Sequence, residues 1–193
     1  MKTSRRKFLK GFALTSAYLI TGGGHSLSAA DVLAKKKKVV LRFAVGSDSH
    51  YGQPNTASDT YISDFVSHIN SFHQQLPLNV CVINGDLIHD QPELMNQLKP
   101  YLQKLAVPYF VTQGNHDRVS AAYWQKIWDV PFNYEKILGN NVLLMMTTSN
   151  EKGEYLSPDL SWLESKLNQH KNKNVFLFLH IGQQKWTANG IDN

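Results

Sequence analysis

Asp48, His50, Asp86, His89, Asp90, Asn115, His116, Asp117 and His180 are the residues of this 193-residue chain whose types and spacing could do chemistry. Most fall in three short segments, Asp48-Ser49-His50, Gly85-Asp86-Leu87-Ile88-His89-Asp90 and Gly114-Asn115-His116-Asp117. His180 follows the run Val175-Phe176-Leu177-Phe178-Leu179. Each group ends or follows an apolar run that reads as a buried strand. Carboxylate, carboxamide and imidazole are hard-to-borderline donors suited to divalent and trivalent metal ions. Two such ions sharing a water would lower its pKa and provide a hydrolytic nucleophile near neutral pH.

The elements that must position these residues alternate in type. Val39–Val45 reads as a strand ending at Gly46, and Ile62, Phe65, Val66, Ile69 and Phe72 give an apolar helix face within Thr56–Phe72. Leu78–Ile83 is a second strand. Pro92 opens a helix carrying Leu94, Leu98, Leu102 and Leu105, and Val107–Val111 is a third strand. A short helix at Ala121–Trp128 follows, then a hairpin with Asn140-Asn141 between Phe132–Leu138 and Val142–Thr147. Ser157 and Pro158 read as N-cap and first residue of a helix with Leu160, Leu163 and Leu167 facing inward, before the strand Val175–Leu179. This alternation argues for an α/β fold with a largely parallel sheet. The carboxyl ends of neighbouring parallel strands share one edge, so residues far apart in sequence converge there.

The ordered segments D-x-H, G-D-x-x, G-N-H-D and a lone His resemble the calcineurin-like metallophosphoesterase superfamily over residues 48 to 180. G-N-H-D after a strand is the most specific member, and the ordered set is more specific than any one motif. The resemblance implies a four-layer α/β/β/α sandwich, here incomplete at the C-terminus, and a hydrolase of phosphoric monoesters or diesters. It implies two metal ions (iron, manganese or zinc). Asp48 and His50 would bind the first, Asp86 would bridge both, and Asn115 and His180 would bind the second. His116 would protonate the leaving oxygen, with Asp117 orienting its imidazole. Read from the residues alone, Asp90, with His89 beside it, is either a group standing behind a ligand histidine or a simple loop carboxylate. Taken alone, Asp48 and Asp86 would read as turn or cap residues and His180 as an edge histidine. His68, His73 and His170 read as surface residues of helices, and Trp186 as either a substrate mouth or a cover for apolar surface.

The family's G-H-x-H is not found among the thirteen residues after His180. The resemblance therefore implies a chain cut short, in which each metal would lose an imidazole and catalysis would weaken. A truncated, inactive relative that binds only metal or phosphate is the alternative expectation.

The first thirty residues read as an address. Arg5-Arg6-Lys7-Phe8-Leu9-Lys10 resembles a bacterial twin-arginine export signal. The apolar stretch from Phe12 to Ile20 is about half the roughly 20 residues that a membrane span needs. Ser28-Ala29-Ala30 or Val32-Leu33-Ala34 offers the cleavage site. The expected organisation is a signal at 1–30, a basic linker at 31–38 and the metallophosphoesterase domain at 39–193, with the export machinery as a partner and a periplasmic or secreted destination. The net charge of +5 belongs to this front: without Lys2, Arg5, Arg6, Lys7 and Lys10, the chain carries 15 bases and 15 acids. Four of those bases are the run Lys35–Lys38, so no basic face interleaved with aromatics, the mark of a nucleic-acid surface, is evident. The single Cys81, inside an apolar run, reads as a buried thiol and excludes an intramolecular disulfide. A small phosphate ester is the expected substrate partner.

Overall fold

The computed structural model describes residues 39–182; residues 1–38, where the signal and linker are expected, and residues 183–193, Trp186 among them, lie outside the described residues. Among the described residues, six strands and four helices follow in the order β1 (Phe43–Gly46), α1 (Ser58–Gln75), β2 (Val80–Asn84), α2 (Leu94–Leu102), β3 (Tyr109–Thr112), α3 (Ala121–Trp128), β4 (Tyr134–Leu138), β5 (Asn141–Met145), α4 (Leu160–Gln169) and β6 (Asn174–Phe178). They build two three-stranded sheets, β1-β2-β3 and β4-β5-β6. The first is wholly parallel. The second joins an antiparallel β4–β5 pair to a parallel β5–β6 pair.

The alternation of side chains along β2 explains the layering. Cys81 and Ile83 point into a core with Ile62 of α1, Met95, Leu98 and Leu102 of α2, and Trp124 and Ile127 of α3. Val80 and Val82, on the opposite face, meet Tyr134, Leu143, Met145 and Phe178 of the second sheet. β2 is thus buried on both faces, as its continuous apolar run requires. Each buried side chain of the size of Leu98 or Met95 contributes about 1.5–3 kcal/mol. Phe43 ties the sheets together, its ring 5.3 Å from Phe176 and 5.9 Å from Phe178, both edge-on. On the far side of the second sheet, Lys166 and His170 reach Glu135 of β4 at 2.9 and 2.6 Å. The order is helices, sheet, sheet, helix: a mixed α/β fold of the metallophosphoesterase type. Cys81 is fully buried, and burial pushes its thiol up to about 12.

Several local expectations are corrected. β1 begins at Phe43, where its partner Val80 begins, and Val39 and Val40 remain exposed. The hairpin turn is Gly139-Asn140, and Asn141 already pairs with Leu138. Asp159 caps α4 by accepting the Trp162 N–H at 3.0 Å, so Ser157 and Pro158 precede the helix. Leu160 and Leu167 are exposed rather than inward. His170 is buried against Glu135, not a surface residue. Among the described residues, no helix is long and apolar enough to cross a membrane.

Candidate metal centre

Asp48 follows β1, Asp86 follows β2 and Asn115 follows β3, so one parallel sheet presents all three at its carboxyl edge. His180 arrives from the other sheet, just past β6, and not from the shared edge expected of a single sheet. Its Nδ1 lies 2.8 Å from the Asn84 carbonyl oxygen, and the Asn84 amide donates to the Leu179 carbonyl at 2.9 Å. Asn84 also accepts the Thr112 hydroxyl at 2.9 Å. The last residue of β2 thus couples the ends of three strands, and it was missed in the sequence. The available signal was an asparagine closing an otherwise apolar strand.

The loops are pinned to one another through the backbone. His50 N–H donates to the Asp86 carbonyl at 2.9 Å, His116 N–H to Asp86 Oδ1 at 2.8 Å, and Asp90 N–H to the His116 carbonyl at 2.9 Å. These bonds hold an unusual backbone: Asp48, His50, Asp86 and Asp90 have φ of 57°, 37°, 49° and 61°. Left-handed geometry costs about 1–2 kcal/mol per residue, and Asp and His tolerate it better than most. The two glycines of the motifs have a spatial role. A Cβ on Gly85, which has φ +76°, would strike the His180 ring; one on Gly114 would strike the backbone nitrogen and Oδ1 of Asp86.

Asp48, Asp86 and His180 each offer a ligand atom within 4.8 Å of the others. His180 Nε2 stands 3.1 Å from Asp86 Oδ2 and 3.9 Å from Asp48 Oδ1. His50 Nε2 faces the same carboxylates at 3.5 and 3.9 Å. With His180 Nδ1–H donated to the Asn84 carbonyl, Nε2 is left for a cation. Asp86 is buried, while Asp48 opens to solvent. Burial pushes the Asp86 carboxyl up, but hydrogen bonds from His180 and the His116 N–H, with their charges, hold it below its usual value. Burial pulls His180 down, yet the Asp86 hydrogen bond and charge lift it to about 9. For His50, burial outweighs the attraction of Asp86 and lowers its value. Two carboxylates converging with two imidazoles form a donor set that fits a divalent cation. Asn115 stands on the same turn, one residue before the N–H that binds Asp86.

Asp117 does not orient His116. It is fully buried, accepting the Gly114 N–H at 2.7 Å and the Ile88 N–H at 3.1 Å, and burial pushes it up to about 7. It braces the turn that carries the motif. Asp90 takes the orienting position, with Oδ1 2.9 Å from His116 Nδ1. Arg118 Nε lies 3.1 Å from the same oxygen, a partner the sequence reading did not single out although it directly follows G-N-H-D. His89 packs against this group: its Nδ1 is 3.3 Å from His50 Nδ1, and its ring stacks on His116 at 5.2 Å.

Comparison with solved structures finds a dimetal phosphatase from Danio rerio, 14% identical, with a TM-score of 0.59 over 79% of this chain and 73% of that one. At that identity the likeness shows the fold. A search of curated proteins returns no match. The model of the calcineurin-like phosphoesterase family matches residues 41–191. That span takes in every strand of both sheets and all the converging side chains. The chain therefore belongs to the calcineurin-like phosphoesterase family.

Proposed function

We propose that this chain hydrolyses small phosphoric esters at a centre holding two metal ions. Asp48 and His50 would hold one ion, Asn115 and His180 the other, and Asp86 would serve both. Such ions, when bound, supply positive charge to the phosphoryl oxygens and lower the pKa of water. The chain's own part in the reaction is one of positioning and proton transfer. His116 carries the proton for the leaving oxygen on Nε2, because its Nδ1 is engaged by Asp90. Arg118 limits how far the Asp90 carboxylate moves. Asn84 fixes the His180 tautomer, and Gly85 leaves room for the ring. The convergence of Asp48, Asp86 and His180 from two sheets is the single observation that carries this reading.

Iron, manganese and zinc all suit mixed nitrogen and oxygen ligation. Monoesters and diesters are both candidate substrates. The test is hydrolysis of mono- and bis-p-nitrophenyl phosphate by the full chain after reconstitution with each metal. Turnover that vanishes in Asp86→Asn supports the reading; no turnover with any metal, or equal turnover in the variant, rejects it.

The same reading takes Arg5-Arg6 as a twin-arginine export signal and places the folded domain outside the bacterial cytoplasm. Cell fractionation of a strain expressing the chain with both arginines changed to lysine tests this. Retention of that variant in the cytoplasm, with export of the native chain, is the expected result.

A further inference from the structure

Beside the carboxylate pocket lies a second cluster, composed of imidazoles alone. His50, His89 and His116 each offer a ring nitrogen within 4.8 Å of the other two. They come from three different loops: after β1, beyond β2 and after β3. Their side chains are 23%, 24% and 32% exposed, so the cluster is partly shielded yet open to a solute.

Each ring turns one nitrogen toward a carboxylate. His50 Nε2 lies 3.5 Å from Asp86 Oδ2, His89 Nε2 lies 3.9 Å from Asp90 Oδ2, and His116 Nδ1 lies 2.9 Å from Asp90 Oδ1. That leaves Nδ1 of His50, Nδ1 of His89 and Nε2 of His116. A carboxylate behind the far nitrogen fixes the tautomer and raises the basicity of a metal-binding imidazole. Only His116 has that carboxylate at hydrogen-bond distance; the carboxylates beside His50 and His89, at 3.5 and 3.9 Å, act on the rings through charge. The two Nδ1 atoms stand 3.3 Å apart. Nitrogens bound to zinc at about 2.0–2.1 Å in a tetrahedron are separated by roughly the same 3.3 Å. His89 and His116 stack at an interplanar angle of 11°, so the site closes on its cation by ring rotation rather than standing preformed.

We propose that His50, His89 and His116 form an imidazole-only site for a zinc-type divalent cation, distinct from the pocket of Asp48, Asp86 and His180. Three neutral imidazoles favour zinc, nickel or copper over magnesium or calcium, which prefer oxygen. A neutral His50 has one lone pair, so it serves this site through Nδ1 or the carboxylate pocket through Nε2, not both. A cation held here also occupies the Nε2 of His116. Filling the site therefore opposes any use of His50 and His116 in the neighbouring centre. The site itself stands whether or not the chain hydrolyses phosphoric esters.

The test is zinc calorimetry and cobalt absorption on the full, metal-free chain, with no substrate present. The native chain is expected to show the intense visible bands of four-coordinate, nitrogen-bound cobalt. His89→Ala is expected to lose those bands and about one equivalent of zinc, with an unchanged circular dichroism spectrum. His180→Gln, which removes a donor of the carboxylate pocket that is not one of the three clustered rings, is expected to keep the bands. Asp90→Asn retains all three rings and is expected to weaken zinc binding there by about 10–100-fold. Absence of the bands in the native chain overturns the proposal. So does their survival in His89→Ala, or their loss in His180→Gln.

Discussion

Asp90 Oδ1 lies 2.9 Å from His116 Nδ1, and the Asp90 N–H donates to the His116 carbonyl at 2.9 Å. The two residues, 26 positions apart, are clamped at both side chain and backbone. Asp90→Asn is expected to keep the fold while reversing the side-chain hydrogen bond or the His116 tautomer. General acid catalysis typically contributes 10²–10⁴-fold. A fall in kcat of about 100-fold with an alkyl phosphate ester is expected, with little change in KM. The fall should be smaller with a p-nitrophenyl ester, whose leaving group needs no proton. Equal losses on both substrates would refute His116 as the acid.

Asp86 is the most constrained carboxylate of the centre, contacted by His180, His50 and the His116 N–H. Asp86→Asn keeps its size and removes its charge. Groups standing behind metal ligands typically contribute 10–100-fold to affinity or activity, so a ligand itself is expected to exceed about 100-fold. Manganese content after dialysis, measured alongside turnover, checks this. A variant that retains native metal content would remove Asp86 from the ligand set.

At Gly114, an added Cβ meets the backbone nitrogen and Oδ1 of Asp86, and the backbone atom cannot rotate away. Gly114→Ala is expected to destabilise by about 3 kcal/mol, the upper end for overpacking. The midpoint of urea unfolding reports this. Metal content should fall with it, because the strained loop and the ligand are the same segment.

Glu135 supplies a pH dependence remote from the centre. Burial pushes its carboxyl up, but the hydrogen bonds and charges of Lys166 and His170 hold it below its ordinary 4.5. Below about that pH the unfolded chain takes up the proton first, so acid favours unfolding. Stability from Glu135 is complete above 4.5 and is lost as pH falls through the folded value. Unfolding measured from pH 7 to 3 should show a drop that is shallower in Glu135→Gln.

The sequence by itself determined which residues could do chemistry and where along the chain they stand. Asp48, Asp86, Asn115 and His180 each follow an apolar run, and a strand's end can be read from local pattern because burial imposes it. It also marked Gly85 and Gly114, though not that their missing side chains make room for His180 and Asp86. Only the tertiary structure decided that Asp90, rather than the adjacent Asp117, meets His116. Asp117 faces into the protein because the Gly114 and Ile88 N–H groups need an acceptor there, and neighbours in sequence need not share a direction. Which sheet delivers His180, and that Asn84 holds it, likewise depended on packing across 96 positions. Contacts at that separation are set by the burial of Val80, Val82, Leu143, Met145 and Phe178 between the sheets, which no local pattern encodes.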